Sequence, residues 1–145
     1  MAYHICCGCA TINHRGESMD NVPKILVVDD DKELLKLIKE INRTYEWETA
    51  AITNPHEAMR LLKDERFDLL ITDIRMPKSD GYKLIRRVRM RFPELPIMII
   101  TGYDTYKVHS FAKSMNIGKV LMKPVKIWEF AFAVADVLEL EPFEL

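Results

Sequence analysis

The sequence predicts an α/β fold, a single parallel β-sheet with helices on both faces. Two observations predict it. Short, β-rich apolar runs alternate with stretches of helical periodicity, the mark of buried parallel strands joined by helical crossovers. Four of the runs also end in polar residues. Lys24-Ile25-Leu26-Val27-Val28 leads into Asp29-Asp30-Asp31, and Phe67-Asp68-Leu69-Leu70-Ile71-Thr72 leads into Asp73. Pro96-Ile97-Met98-Ile99-Ile100 leads into Thr101-Gly102, and Lys119-Val120-Leu121-Met122 leads into Lys123-Pro124. In an open parallel sheet the site lies beyond the carboxyl ends of the strands. Carboxylates, a hydroxyl and an ammonium therefore converge on one edge. That set suits a divalent cation and a phosphoryl group.

Composition narrows the function classes. The 145 residues suffice for one domain with a real core. Apolar residues make up 48%, which argues against disorder of the whole chain. The 21 basic and 22 acidic residues nearly cancel, so there is no overall pull toward nucleic acid or membrane. No apolar run approaches the roughly 20 residues needed to span a bilayer. The start lacks the basic flank and continuous apolar stretch of a signal peptide. The expectation is a cytoplasmic protein. Residues 1–22 carry His4, Cys6, Cys7, Cys9 and His14 without periodicity. Thiolates and imidazoles are soft metal ligands. Adjacent Cys6-Cys7 wraps a tetrahedral ion poorly, though, and no second ligand pair follows. This segment reads as a flexible extension, residues 23–140 as the folded domain and residues 141–145 as a tail.

Each element has its own justification. After the first strand, Leu34, Leu37, Ile38 and Ile41 recur at helical spacing, with Lys32, Lys36, Lys39 and Glu40 between them. Asp31 suits the cap of that helix. Trp47 to Ile52 reads as a second, weaker strand. Asn54-Pro55 opens the next helix, Asn as N-cap and Pro in the first turn, with Ala58, Leu61 and Leu62 as its apolar face. The third strand ends at Asp73. A loop from Ile74 to Ser79 reaches Asp80-Gly81 and a helix carrying Leu84, Ile85 and Val88, closed by Phe92-Pro93. Asp104 can cap the fourth helix, which turns Val108, Ala112 and Met115 inward. The last helix puts Ile127, Phe130, Ala131, Val134 and Leu138 on one stripe, and Pro142 stops it. Five strand–helix units with right-handed crossovers give a doubly wound five-stranded parallel sheet with five helices. The flavodoxin-like strand order 2-1-3-4-5 fits best, and it makes the first and third strands neighbours at the switch point.

This pattern resembles the receiver domain of the response regulators of two-component signalling. The matching residues are Ile25-Leu26-Val27-Val28-Asp29-Asp30-Asp31, Asp73-Ile74-Arg75-Met76-Pro77 with Asp80-Gly81, Thr101-Gly102, and Lys123-Pro124. They run in order from residue 24 to about residue 138. The resemblance implies a phosphoacceptor at Asp73, a switch hydroxyl at Thr101 and a phosphate-binding lysine at Lys123. It implies a Mg2+ (or Mn2+) site made by Asp29, Asp30, Asp73 and the backbone carbonyl of Arg75. It also implies a cis Lys123-Pro124 bond. The chemistry agrees. A strand-end carboxylate can form an aspartyl-phosphate, a hard divalent ion relieves repulsion among three carboxylates, and an ammonium neutralises phosphoryl charge.

The implied function is a phosphorylation-dependent switch, not an enzyme that turns over an external substrate. Its expected donors are a sensor histidine kinase or a histidine phosphotransfer protein. Its expected output is a downstream protein target or output domain reached through the fourth helix, fifth strand and fifth helix, with a homodimer as one form. Neither direct nucleic-acid binding nor a membrane role is expected. The chain is read as a stand-alone receiver or one cut from a longer regulator. A metal-dependent phosphatase is the competing class, but Asp29-Asp30-Asp31-Lys32-Glu33 lacks the Thr of the Asp-x-Asp-x-Thr pattern of haloacid-dehalogenase-like enzymes. A phosphate-independent interaction module on the same fold is the third.

Two departures from the family pattern stand out. Val120 replaces the Tyr or Phe usual three residues before the lysine, and Asn116-Ile117-Gly118-Lys119 lacks the usual Gly-Ala opening. Tyr103, Tyr106 and His109 are the candidates to take over the aromatic part of the switch. Arg75 and Tyr103, two residues after Asp73 and Thr101, are both large, and slow self-dephosphorylation is expected from them. Arg86, Arg87, Arg89 and Arg91 form a basic run read as a solvated helix face. Trp128 and Phe132 fall off the core stripe of the last helix and are candidates for an exposed docking surface.

Overall fold

Alternation within each strand decides the two layers of this molecule. The computed structural model describes residues 22–140 except 77, 78 and 104, leaving out the side chain of residue 79. The strands are β1 (Lys24–Val28), β2 (Glu48–Ile52), β3 (Leu69–Thr72), β4 (Ile97–Thr101) and β5 (Lys119–Met122). The helices are α1 (Lys32–Thr44), α2 (His56–Asp64), α3 (Gly81–Arg91), α4 (Tyr106–Ser114) and α5 (Ile127–Val137). The five strands pair in parallel in the order β2-β1-β3-β4-β5, as the sequence predicts. Ile25, Val27, Leu69, Ile71, Met98 and Ile100 point to one face and pack with Ile38, Phe130 and Val134 of α1 and α5. Leu26, Val28, Leu70, Ile97 and Ile99 point to the other and pack against α2, α3 and α4 through Ala58, Ile85 and Val108.

Side-chain caps start α1, α3 and α4, and several details depart from expectation. Asp31 accepts from the N–H groups of Glu33 and Leu34, and Asp80 accepts from that of Tyr82. The α2 helix begins at His56, one residue later than the Asn-Pro signal implies, and the Asn54 carboxamide oxygen accepts the His56 N–H at 3.0 Å. Thr105 caps α4 through the Val108 N–H, while Asp104 lies outside the described residues. Pro142 also lies outside them. Ile127 is 57% exposed, although the helical stripe placed it in the core. It is the first residue of α5, and helical side chains lean toward the N-terminus. Its side chain therefore projects past the packed layer that holds Phe130, Ala131 and Val134. The Ile74–Ser79 loop contains a short antiparallel pairing of Arg75–Met76 with Ser79–Asp80, which period analysis of so short a segment does not reveal.

Three helices end in the same way. Glu46, Asn116 and Glu139 follow α1, α4 and α5 with φ of 61°, 58° and 55°. The next residue donates its N–H back into the helix: Trp47 to the Asn42 carbonyl, Ile117 to Ala112 and Leu140 to Ala135. Trp47, Ile117 and Leu140 are all buried. These are Schellman closures, with the left-handed residue turning the chain and the following apolar side chain locking it to the core. The Asn116-Ile117-Gly118 departure from the family pattern is thus a well-formed helix stop.

The arginine run splits. Arg89 turns sideways and donates to the carbonyls of Met115, Pro93 and Leu95 at 3.0, 3.0 and 2.7 Å. It ties the end of α3 to the loop before β4 and to the end of α4. Burial lowers its pKa from the usual arginine value, and Glu94 opposes that shift.

Glu46 is exposed and holds a left-handed conformation that costs a residue with a Cβ about 1 kcal/mol. Glu46→Gly is expected to raise the unfolding free energy by about 0.5–1 kcal/mol, read as a higher urea midpoint at unchanged slope.

Candidate functional site

The carboxyl end of the sheet gathers the residues that the sequence singled out. Neighbouring β1 and β3 deliver Asp29 and Asp73, each anchored by its own backbone. The Asp29 N–H donates to the Ile52 carbonyl, and the Asp73 N–H to the Val28 carbonyl. Carboxylate oxygens of Asp29, Asp30 and Asp73 lie within 4.8 Å of one another. Asp29 and Asp73 are buried, whereas Asp30 is exposed and faces solvent. This is a cluster of hard oxygen donors compact enough for one small divalent ion.

Lys123 closes the cluster from the end of β5. Its ammonium lies 2.9 Å from Asp73 Oδ2 and 3.0 Å from Asp29 Oδ2. The Lys123-Pro124 peptide bond is cis, as the resemblance implies. Burial pulls the Lys123 pKa down, but its hydrogen bonds and charge interactions with Asp73 and Asp29 outweigh that and raise it. For Asp29 the balance goes the other way. Burial pushes it up to about 6, against the lowering effect of the Asp31 N–H and Lys123, and the Asp73 charge adds to the rise. The Asp31 N–H donates to Asp29 Oδ1 at 2.9 Å. One ammonium and one amide therefore leave Asp29 short of the positive charge it needs, a deficit that a divalent cation would supply.

Thr101 sits at the end of the adjacent strand and is fully buried. Its carbonyl accepts the Lys123 N–H at 2.9 Å, and its hydroxyl accepts the Tyr103 N–H at 3.2 Å. The Arg75 N–H donates to Asp73 Oδ1 at 3.2 Å, so the residue two positions on helps hold the Asp73 carboxylate.

Two features of the site are not in the sequence reading. The Arg75 guanidinium stacks over the Tyr103 ring at 4.2 Å, joining the loops that follow β3 and β4. The sequence put both residues at the rim but gave no sign of contact between them. Gly81 is required by close approach: a methyl group there would overlap the Asp73 carbonyl oxygen and crowd Ile74. The Gly81 N–H also donates to the Ile74 carbonyl at 3.0 Å. The start of α3 is thus pressed against the backbone of Asp73 and Ile74. The Asp-Gly pair reads in sequence only as a helix start, because the contact is made by backbone alone.

Strand-end acids, a hydroxyl and a lysine thus meet at the carboxyl edge of a doubly wound sheet, the arrangement expected of a receiver domain. The family model of the response regulator receiver domain matches residues 25–135, and the chain belongs to that family. Receiver domains are signalling domains of two-component systems, modified on an aspartate and binding Mg2+ at an acidic cluster. Response regulators interact with histidine kinases and with output targets. The chain is 30% identical over 115 residues to the response regulator receiver protein CpdR of Brucella abortus, covering 79% of this chain and 96% of CpdR. It is 32% identical over 117 residues to the response regulator protein PilR of Pseudomonas aeruginosa, covering 81% of this chain but 26% of PilR. It spans about a quarter of the length of several curated regulators that it matches. A CheY-like receiver domain protein from Methanospirillum hungatei has the same fold, with a TM-score of 0.77 at 24% identity over 81% of this chain and 94% of that one. The receiver domain of the Francisella response regulator 1452 aligns with a TM-score of 0.73 at 27% identity, over 80% of this chain and 96% of that one. Among the described residues no helix is long and apolar enough to cross a membrane.

The raised Asp29 pKa has a signed consequence for stability. Between pH 3.8 and about 6 the folded protein holds a proton that the unfolded chain has released, so this group's contribution to stability falls as pH rises through that window. In metal-free buffer, the stability of the wild type minus that of Asp29→Asn is expected to drop by about 2–3 kcal/mol between pH 4 and pH 7, flattening above pH 6. Denaturant titrations of both proteins across pH check it.

Proposed function

We propose that this chain is a phosphorylation-dependent switch that takes a phosphoryl group onto Asp73 from a histidine kinase or a histidine phosphotransfer protein. The observation that carries this reading is the single ammonium of Lys123, 2.9 Å from Asp73 and 3.0 Å from Asp29. It orients the Asp73 carboxylate through a hydrogen bond while leaving Asp30 open to solvent. A carboxylate oxygen of Asp73 attacks the phosphorus of a phosphohistidine. The phosphorus–nitrogen bond breaks, and the imidazole departs with a proton. Lys123 is then placed to neutralise phosphoryl oxygens, and Thr101 to offer its hydroxyl. Such transfer depends mainly on positioning and charge.

Asp29, Asp30, Asp73 and the Arg75 carbonyl are the residues that would hold Mg2+ or Mn2+. The bound ion would offset charge on the transferring phosphoryl group and on the three carboxylates. Self-dephosphorylation is the reverse demand: a water attacks the phosphorus, Asp73 is regenerated and phosphate leaves. Arg75 and Tyr103, large residues stacked on each other and two positions after Asp73 and Thr101, support slow loss.

Output is assigned to the face of α4, β5 and α5, as a protein target, an output domain or a second copy of the chain. Exposed Tyr106, Ile127, Trp128 and Phe132 support that assignment. Thr101 moving toward the phosphoryl group would draw its loop inward. One charged hydrogen bond supplies the ~1.4 kcal/mol that shifts a two-state population tenfold. The proposed location is the cytoplasm, where phosphohistidine donors act.

Incubation with Mg2+ and a small phosphodonor, read by intact mass, tests the reading. Wild type is expected to gain one phosphoryl group, and Asp73→Asn none. Thr101→Ala is expected to keep the mass gain while losing phosphorylation-dependent partner binding. Absence of any gain in the wild type, or turnover of external phosphoesters, contradicts the proposal. Once formed, the phosphorylated protein should persist well beyond seconds. Arg75→Ala is expected to hasten its decay by about tenfold, the equivalent of ~1.4 kcal/mol in the barrier, followed by loss of mass over time.

A further inference from the structure

The α3 helix carries Lys83, Arg86, Arg87, Arg89 and Arg91 and no acid, and α4 carries Lys107 and Lys113 and no acid. With the whole chain at a formal net charge of −1, these two helices concentrate positive charge that acids elsewhere balance. Arg89 is spoken for by backbone carbonyls. The others are exposed. At 100° per residue, Lys83, Arg86, Arg87 and Met90 fall within one stripe at i, i+3, i+4 and i+7. Met90 stands in that stripe at 87% exposure.

The cations are mounted on rings. Tyr82 and Phe111 meet edge to face at 4.7 Å, joining α3 to α4. The Arg86 guanidinium lies 5.2 Å from the Phe111 ring and the Lys107 ammonium 5.0 Å from the Tyr82 ring. No ion pair to Lys83, Arg86, Arg87, Arg91 or Lys107 occurs among the described residues. Other surface cations do find carboxylates, as in Lys24–Glu65, Arg43–Glu40 and Lys119–Asp136, whereas α3 and α4 carry no acid of their own to supply one. Long cationic side chains held over aromatic rings and left without carboxylates are positioned to receive them from outside at reduced entropic cost.

We propose that the α3–α4 face is a docking surface for an acidic protein segment, a helix that presents carboxylates on one side around an apolar residue seated on Met90. Arg and Met are the residues enriched where proteins meet proteins. A thioether at the end of the stripe adds contact area to an apolar side chain and nothing to a phosphate backbone. The near-neutral chain lacks the overall field that gathers nucleic acid, and beyond about 10 Å at 0.1 M salt the patch is screened. Recognition at this face is therefore short-ranged. The start of the same helix rests on the Asp73 backbone through Gly81, so the docked segment sits on an element anchored to the acceptor residue.

Titrating the full chain, labelled with nitrogen-15, with a synthetic helical peptide tests this. The peptide is about 20 residues long so that it is helical alone, with Glu at i, i+3, i+4 and i+7 around one Leu. Three other probes accompany it: the same composition with scrambled Glu positions, the Glu-to-Gln version, and a short DNA duplex. Amide shifts confined to α3 and α4 are expected. Affinity should fall at least about tenfold for the scrambled peptide and for Lys83→Glu/Arg87→Glu, two exposed positions with no ion pair among the described residues. Retained phosphodonor-dependent mass gain in that variant confirms its fold. Because peptide binding needs no phosphorylation, the two readings fail separately. No shifts at millimolar peptide, shifts centred elsewhere, equal binding of the scrambled peptide, or tighter binding of the duplex would each overturn the proposal.

Discussion

Repulsion among buried carboxylates, and the Lys123 ammonium that restrains it, governs this site. Asp29 and Asp73 are buried side by side because β1 and β3 are paired neighbours. Charges removed from water repel strongly unless a cation is close. Lys123 supplies it from two strands away, since β5 pairs with β4 and β4 with β3. Strands about 4.8 Å apart put that anchor roughly 10 Å off, within reach of a lysine and few other side chains. The ammonium contacts both acids, yet the Asp29 pKa stays raised. The site is therefore neutralised only in part, which leaves it receptive to further positive charge.

The same shortage of charge explains how a small covalent change can matter. A phosphoryl group would add negative charge and acceptor oxygens where Lys123 already serves two carboxylates. Groups at the rim must then adjust. The half-buried Val120 gives this chain no ring to swing inward beside the lysine. What it has at the rim is the Arg75–Tyr103 stack, whose two partners follow the acceptor and the hydroxyl by two residues each. A cation–ring contact of this kind is weak enough to break and specific enough to define a state.

Charge is also distributed unevenly at a larger scale. The acids cluster at the carboxyl edge of the sheet, while α3 and the facing part of α4 carry cations alone. Helix α5 is different again, with exposed Trp128 and Ile127 beside a buried Phe130. One small domain thus offers three chemically distinct surfaces, and each begins close to a residue of the acceptor edge.

The sequence by itself determined the strand and helix order, the parallel topology and the edge at which Asp29, Asp30, Asp73, Thr101 and Lys123 meet. Those follow from apolar periodicity and from polar residues placed at strand ends, both local properties of the chain. Capping at Asp31 was legible for the same reason. Only the tertiary structure decided that Gly81 must lack a side chain, that Arg89 ties three carbonyls while Arg86 and Arg87 face solvent, and that Arg75 lies on Tyr103. It also decided that Ile127 lies outside the core it shares a stripe with. Each of these depends on where separate elements approach one another in space. Periodicity records which face a residue occupies, but not how far the neighbouring layer extends or what stands opposite.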